Sequence, residues 1–288
     1  MKSFAVILII ITLAFSPIRA ESLTPVEDFG DNPGNIRMYK YVPEEVPPDA
    51  PLVVSLHGCT QDAGIYSKNG WLDVADELKF YLVFPEQKVI NNPYRCWNWF
   101  EAENTRRGEG EIYSIIEMIE RMQSDHSIDP DRIYVEGLSA GGWLVPILLG
   151  SYPDVFTGGA TSGGGPAYCA MTEKYFWDIF NWWYSYYALQ NAEECMEGTD
   201  KSPEDWGDLL RNNGYVNYDG PWPVISIWHG GDDDRVNEEN QQELVDQWTN
   251  IHDIDLEPDK EEIEPPGSGI FHAEYQDEAG NVPVETWL

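Results

Sequence analysis

The chain has 288 residues, with 51 acidic against 17 basic side chains and a formal net charge of −34. Such a field repels nucleic acid and anionic membrane surfaces, so neither is expected as a partner. The length suits one α/β domain with a substantial core, and no stretch approaches the roughly 20 apolar residues of a membrane span.

The first residues read as an export signal. Lys2 supplies the positive start, Phe4 to Phe15 the apolar stretch, and Ile18-Arg19-Ala20 ends in a small residue suited to cleavage. A leader over Met1–Ala20 predicts a secreted, extracellular or periplasmic protein, with residues 21–288 forming the single domain. The leader carries Lys2 and Arg19 but no acid, so its removal leaves a still more acidic chain, whose self-repulsion dissolved salt would screen.

Residues 21–35 are polar and rich in Gly, Pro and Asp, the composition of an arm. Ile36–Val42 alternates as an edge strand does, and Leu52–Leu56 is a short apolar run typical of a strand buried on both faces. A helix is expected over Gly70–Leu78 and a strand over Tyr81–Pro85. Ile112, Ile115, Ile116 and Ile119 recur at helical spacing within Glu109–Ser124. Asp129-Pro130-Asp131 reads as a turn before a strand at Arg132–Glu136. Then come a helix over Ser139–Gly150, a strand near Phe156–Gly159, a buried strand at Val224–Trp228 and a helix over Asn237–Ile251. The tail offers strands at Phe271–Tyr275 and Val284–Leu288. Strands alternating with helices predict a mainly parallel sheet covered on both faces.

An aromatic-dense insertion between Tyr168 and Trp222 breaks this rhythm. Tyr175, Phe176, Trp177, Phe180, Trp182, Trp183, Tyr184, Tyr186 and Tyr187 fall close together there. It reads either as a lid over the site or as the core of a small helical subdomain. Cys59, Cys96, Cys169 and Cys195 are an even number in an exported chain, which predicts two disulfides from three possible pairings. Their spacing fits no zinc motif and no histidine cluster accompanies them, so no metal is expected.

Gly137-Leu138-Ser139-Ala140-Gly141 stands between a predicted strand and a predicted helix. A nucleophile on so sharp a turn needs small residues two before and two after it, and the helix start favours developing negative charge. Ser139 is therefore the candidate nucleophile. Leu56-His57-Gly58-Cys59-Thr60-Gln61 follows the buried strand, where a loop donates a backbone amide to an oxyanion, so the amides of Cys59 and Ala140 are the expected donors. His57 precedes the serine, against the order serine, acid, histidine, and is read as bracing the loop. The acid is expected in the loop after Val224–Trp228, where Asp232, Asp233 and Asp234 stand side by side and residue chemistry alone does not choose.

These strings, with Cys96-Trp97-Asn98-Trp99-Phe100, Arg107-Gly108-Glu109-Gly110-Glu111 and the Trp228-His229-Gly230 run, resemble the polyhydroxybutyrate depolymerase-type esterases, a family that includes acetylxylan and feruloyl esterases. The likeness runs from about Phe29 to Leu288 and is poorest in the insertion. It implies an α/β-hydrolase fold and a serine esterase that needs no cofactor. Its substrate would be a short-chain hydroxyalkanoate polyester first, an esterified plant polysaccharide second. It implies Asp233 as the acid, four residues after His229 and three before Val236. It also implies a Cys59–Cys96 disulfide bringing Trp97 and Trp99, the expected substrate-binding residues, beside the oxyanion loop, and a Cys169–Cys195 bond tying down the insertion.

One part of the pattern departs. The family's histidine follows a strand like Val284–Leu288, where this sequence ends; only His252 and His272 lie after Asp233. The reading is a fragment whose base lies beyond Leu288. The alternative of another class is an inactive hydrolase shell that binds without turning over.

Overall fold

The computed structural model describes residues 23–173 and 182–288. The leader therefore lies outside the described residues, as do Tyr175, Phe176, Trp177 and Phe180 of the insertion. The strands are β1 Thr24–Val26, β2 Arg37–Tyr41, β3 Ala50–Leu56, β4 Tyr81–Glu86, β5 Ile128–Leu138, β6 Gly158–Ser162, β7 Val224–Trp228, β8 Lys260–Ile263, β9 Phe271–Tyr275 and β10 Val284–Trp287. The helices are α1 Ala63–Tyr66, α2 Trp71–Leu78, α3 Ala102–Thr105, α4 Gly110–Asp125, α5 Ala140–Ser151, α6 Trp182–Glu197, α7 Pro203–Asn213 and α8 Glu239–His252.

All ten strands join one sheet in the order β1-β2-β4-β3-β5-β6-β7-β10-β9-β8. From β4 through β10 in that order the pairs are parallel, while the outer pairs at both ends are antiparallel. The central strands read as apolar runs because helices cover both faces. One face packs Leu52, Val54 and Leu56 against Ile112, Ile115 and Ile119 of α4 and against α5 and α8. The other packs Val53, Leu82 and Phe84 against Ala63, Tyr66, Leu72 and Ala75 of α1 and α2.

Three local expectations are corrected. Asp129-Pro130-Asp131 is no turn between elements but a bulge inside β5, where the register jumps from Ala50 opposite Ile128 to Leu52 opposite Ile133. There the Asp131 amide donates to Asp129 Oδ1 at 3.0 Å, so the turn chemistry is absorbed into the strand. β6 begins two residues later than expected, because Phe156 is spent in the core before the strand starts. The polar arm carries β1, paired with β2 at the sheet's edge. Its polarity, like that of Lys260-Glu261-Glu262 in β8, blunts an edge strand and hides it from hydrophobic patterning.

α5 is buried along its whole length and contains Pro146. A proline there has no N–H for the carbonyl four residues back. Thr161 of β6 fills the gap by donating its hydroxyl to the Gly142 carbonyl at 2.9 Å. The helix behind the candidate nucleophile thus stays continuous and is tied to the neighbouring strand.

Glu136 of β5 is buried among apolar neighbours and accepts hydrogen bonds from Ser55 and from the Tyr66 hydroxyl. Burial lifts its carboxyl from 4.5 to about 7. Between those values the folded chain holds a proton that the unfolded chain has released, so this group's contribution to stability falls as pH rises from 4.5 to 7. Glu136→Gln keeps the shape and cannot ionise. It is expected to match the parent near pH 4.5 and to exceed it by about 3 kcal/mol above pH 8. Denaturant unfolding at both pH values checks this; an equal difference at both would remove Glu136 as the cause.

Candidate active site

Ser139 sits between β5 and α5 at φ 55°, ψ −120°, a backbone conformation that strains a residue with a side chain. The surroundings over-determine it. Its amide donates to the Ser162 carbonyl at 2.8 Å and its carbonyl accepts from Trp143 N at 2.9 Å. The flanking glycines are required by contact: a Cβ on Gly137 would stand 2.4 Å from the Gly141 oxygen, and one on Gly141 would stand 2.3 Å from the Leu56 oxygen. Ser139 itself is half-buried at the carboxyl edge of the sheet.

The loop after β3 lies against this turn, with a Cβ on Gly58 only 3.4 Å from that of Ser139. The amides of Gly58, Thr60 and Gln61 are taken by Gln61 Oε1, the Tyr94 carbonyl and the Gly58 carbonyl. Among the described residues no hydrogen-bond acceptor meets the Cys59 amide. Ala140 opens α5 ahead of its first turn bond, so its amide has no acceptor within the helix. Two backbone donors beside a strained serine make a cradle for an oxyanion.

Asp233 closes the third side. Its Oδ1 accepts from the amides of Arg235 at 2.8 Å and Val236 at 3.1 Å, while Oδ2 lies 3.4 Å from a Cβ position on Gly163. Gly163 follows Ser162, whose carbonyl holds Ser139, so acid and serine approach each other across β6. One oxygen is locked by the loop, and the other lies between Gly163 and the His229 ring, 4.0 Å from Nε2. Asp232 and Asp234 are exposed beside it.

None of the five histidine rings is hydrogen-bonded to Asp233, and the nearest, His229, stands with Nε2 4.0 Å from Asp233 Oδ2. His57 is fully buried, donates from Nδ1 to the Gly58 carbonyl at 2.8 Å and accepts the Gln87 amide at Nε2, so it braces the loop as a neutral ring; burial holds its pKa down. His126 stacks on Tyr81, and His252 donates to the Pro223 carbonyl. The His229 ring donates to the Val236 carbonyl at 2.9 Å and shapes the acid loop, and His272 lies under Trp287.

Trp97 and Trp99 do not open to a substrate. Trp97 is 0% exposed, with its indole N–H donated to the His57 carbonyl at 2.9 Å. Trp99 is 5% exposed and stacks at 4.1 Å on Trp143 of α5. The indole N–H of Trp97 ties this segment beneath the loop after β3. The disulfides Cys59–Cys96 and Cys169–Cys195 both form.

Sequence reasoning missed Glu111. It is buried in α4 and accepts from the amide and side chain of Asn98 and from Gln87, joining two motifs quoted separately above. Its signal was a charged residue inside an apolar helical stripe. Whether the insertion is lid or core turns on aromatics outside the described side chains; Tyr187 is exposed.

The family described as Esterase PHB depolymerase matches residues 39–172. The chain is 45% identical to poly(3-hydroxyalkanoate) depolymerase C of Paucimonas lemoignei over 96% of its length, and spans 62% of that relative. It is 33% identical to feruloyl esterase B of Thermothelomyces thermophilus, covering 86% of this chain and 81% of that one. Identity to the acetylxylan esterase of Coprinopsis cinerea is 31%, covering 94% and 68%. The acetyl xylan esterase structure from Aspergillus awamori superposes with a TM-score of 0.78 at 24% identity, covering 92% and 91%, which establishes an α/β-hydrolase fold.

Proposed function

The chain belongs to the Esterase PHB depolymerase family, a family of carboxylic ester hydrolases, and from that premise we propose that it cleaves a poly(3-hydroxyalkanoate)-like polyester with Ser139 as nucleophile. Ser139 attacks the ester carbonyl, the amides of Cys59 and Ala140 hold the tetrahedral oxyanion, and Asp233 orients an imidazole that takes the serine proton. That imidazole returns its proton to the departing alcohol, and water then cleaves the acyl-enzyme. No step calls on a metal or cofactor.

The base belongs to residues that follow β10. Two observations support this: none of the five histidine rings is hydrogen-bonded to Asp233, and Trp287 stands in register with Trp228, beside the strand that precedes the Asp233 loop. Export through Met1–Ala20 completes the reading, supported by two disulfides of the kind that persist in oxidising compartments. Among the described residues no helix is long and apolar enough to cross a membrane.

The observation that carries the substrate is the 45% identity to a poly(3-hydroxyalkanoate) depolymerase, against 33% and 31% for carbohydrate esterases. The full gene product is expected to release soluble hydroxyacid from amorphous poly(3-hydroxybutyrate) at least tenfold faster than acetate from acetylxylan or ferulate from feruloylated xylan. The opposite ranking would move it to the carbohydrate esterases. No product from any of the three would leave a binding shell.

A further inference from the structure

At the far end of the strand order, level with the carboxyl edge that carries Ser139, β8 and β9 pair so that Glu262 stands opposite His272, with Glu264 just past the strand. His272 is 4% exposed, and its ring lies flat on Trp287 at 3.8 Å and 11°. Neither ring nitrogen has a hydrogen-bond partner. A buried polar atom left unpaired is a standing penalty in a folded protein.

The space around the ring accounts for this. Nδ1 faces Glu264 Oε2 at 3.4 Å and Glu262 Oε1 at 3.8 Å, and the three ligand atoms lie within 4.8 Å of one another. These gaps exceed the roughly 2.7–3.2 Å of an N–H···O bond. They suit the edge of a tetrahedron, since ligands about 2.0–2.1 Å from zinc sit roughly 3.3 Å apart. On the opposite side, Nε2 faces Glu285 Oε2 at 3.4 Å. A carboxylate behind a metal-bound imidazole is what fixes its tautomer and ring orientation.

We propose that His272 Nδ1, Glu262 and Glu264 bind a divalent cation of the zinc class, with Glu285 orienting the imidazole. One nitrogen and two carboxylate oxygens leave a position for solvent, and the imidazole selects against the hard cations calcium and magnesium. Lys260 bridges Glu262 and Glu274 and must yield Glu262 to the metal. The cation would clamp the β8–β9 hairpin against β10. No local pattern in the sequence, from which no metal was expected, relates these residues.

The test is calorimetric titration of the chelator-stripped full chain with zinc chloride, with cobalt absorption as a report of tetrahedral geometry. One saturable site is expected, weakened at least tenfold by His272→Gln and by Glu264→Gln and tightened by Lys260→Met. Glu264 is about half exposed, so its variant tests the site without disturbing the core. Zinc uptake that both variants leave unchanged, equal competition by magnesium, or no saturable uptake would overturn the proposal and leave a histidine ring set among carboxylates.

Discussion

Replacing Ser139 by alanine is expected to lower kcat of the full gene product on a soluble ester by about 10⁴-fold or more, with the unfolding free energy within about 1 kcal/mol of the parent. The two effects separate because the structure divides the residue's roles. Its backbone bears the strain, at φ 55° and held by Ser162 and Trp143, and an alanine Cβ fills the place the serine Cβ already occupies. Only the hydroxyl oxygen is lost, and with it the covalent intermediate. A fluorophosphonate should add once to the parent, on the peptide containing Ser139, and not at all to the variant. Activity retained within tenfold would move the nucleophile elsewhere.

Asp233→Asn is expected to reduce kcat by about 10³–10⁴-fold with little change in KM, whereas Asp232→Asn and Asp234→Asn stay within about twofold. The carboxylate's Oδ1 is engaged by the amides of Arg235 and Val236, and an asparagine carbonyl keeps those bonds. Its amide would then occupy the Oδ2 position beside Gly163, offering a donor where the imidazole N–H needs an acceptor. The wrong tautomer would face Ser139, so chemistry suffers and binding does not. Steady-state kinetics on the three variants decides; a larger loss at either neighbour would reassign the acid.

The division between legible and hidden follows the range of the forces involved. Where a strand is buried on both faces, as at Leu52–Leu56 and Val224–Trp228, an apolar run declares it. Where a helix has one wet side, as at Glu109–Ser124, spacing declares it. The elbow was legible because its constraint is local: Gly137 and Gly141 must be small for Ser139 to turn at all, and no distant residue alters that. Edge strands such as β8 were not, since their charged side chains serve solubility. Three consecutive aspartates could be ranked only by resemblance, and in the fold Asp233 meets Arg235 and Val236 of its own loop and Gly163 just past β6.

Steric and covalent demands within a few residues, together with the likeness of whole motifs, marked out Ser139 on its elbow, the Leu56–Gln61 loop, the Asp232–Asp234 loop and two disulfides. What the remaining polar and aromatic groups do emerged from packing. Trp97 and Trp99 became braces and not substrate contacts, Glu111 joined two motifs, and His272 met Glu262 and Glu264. The reason is that most buried N–H and carboxylate groups take partners wherever the packing places them, and strand register brings together residues that no local pattern relates.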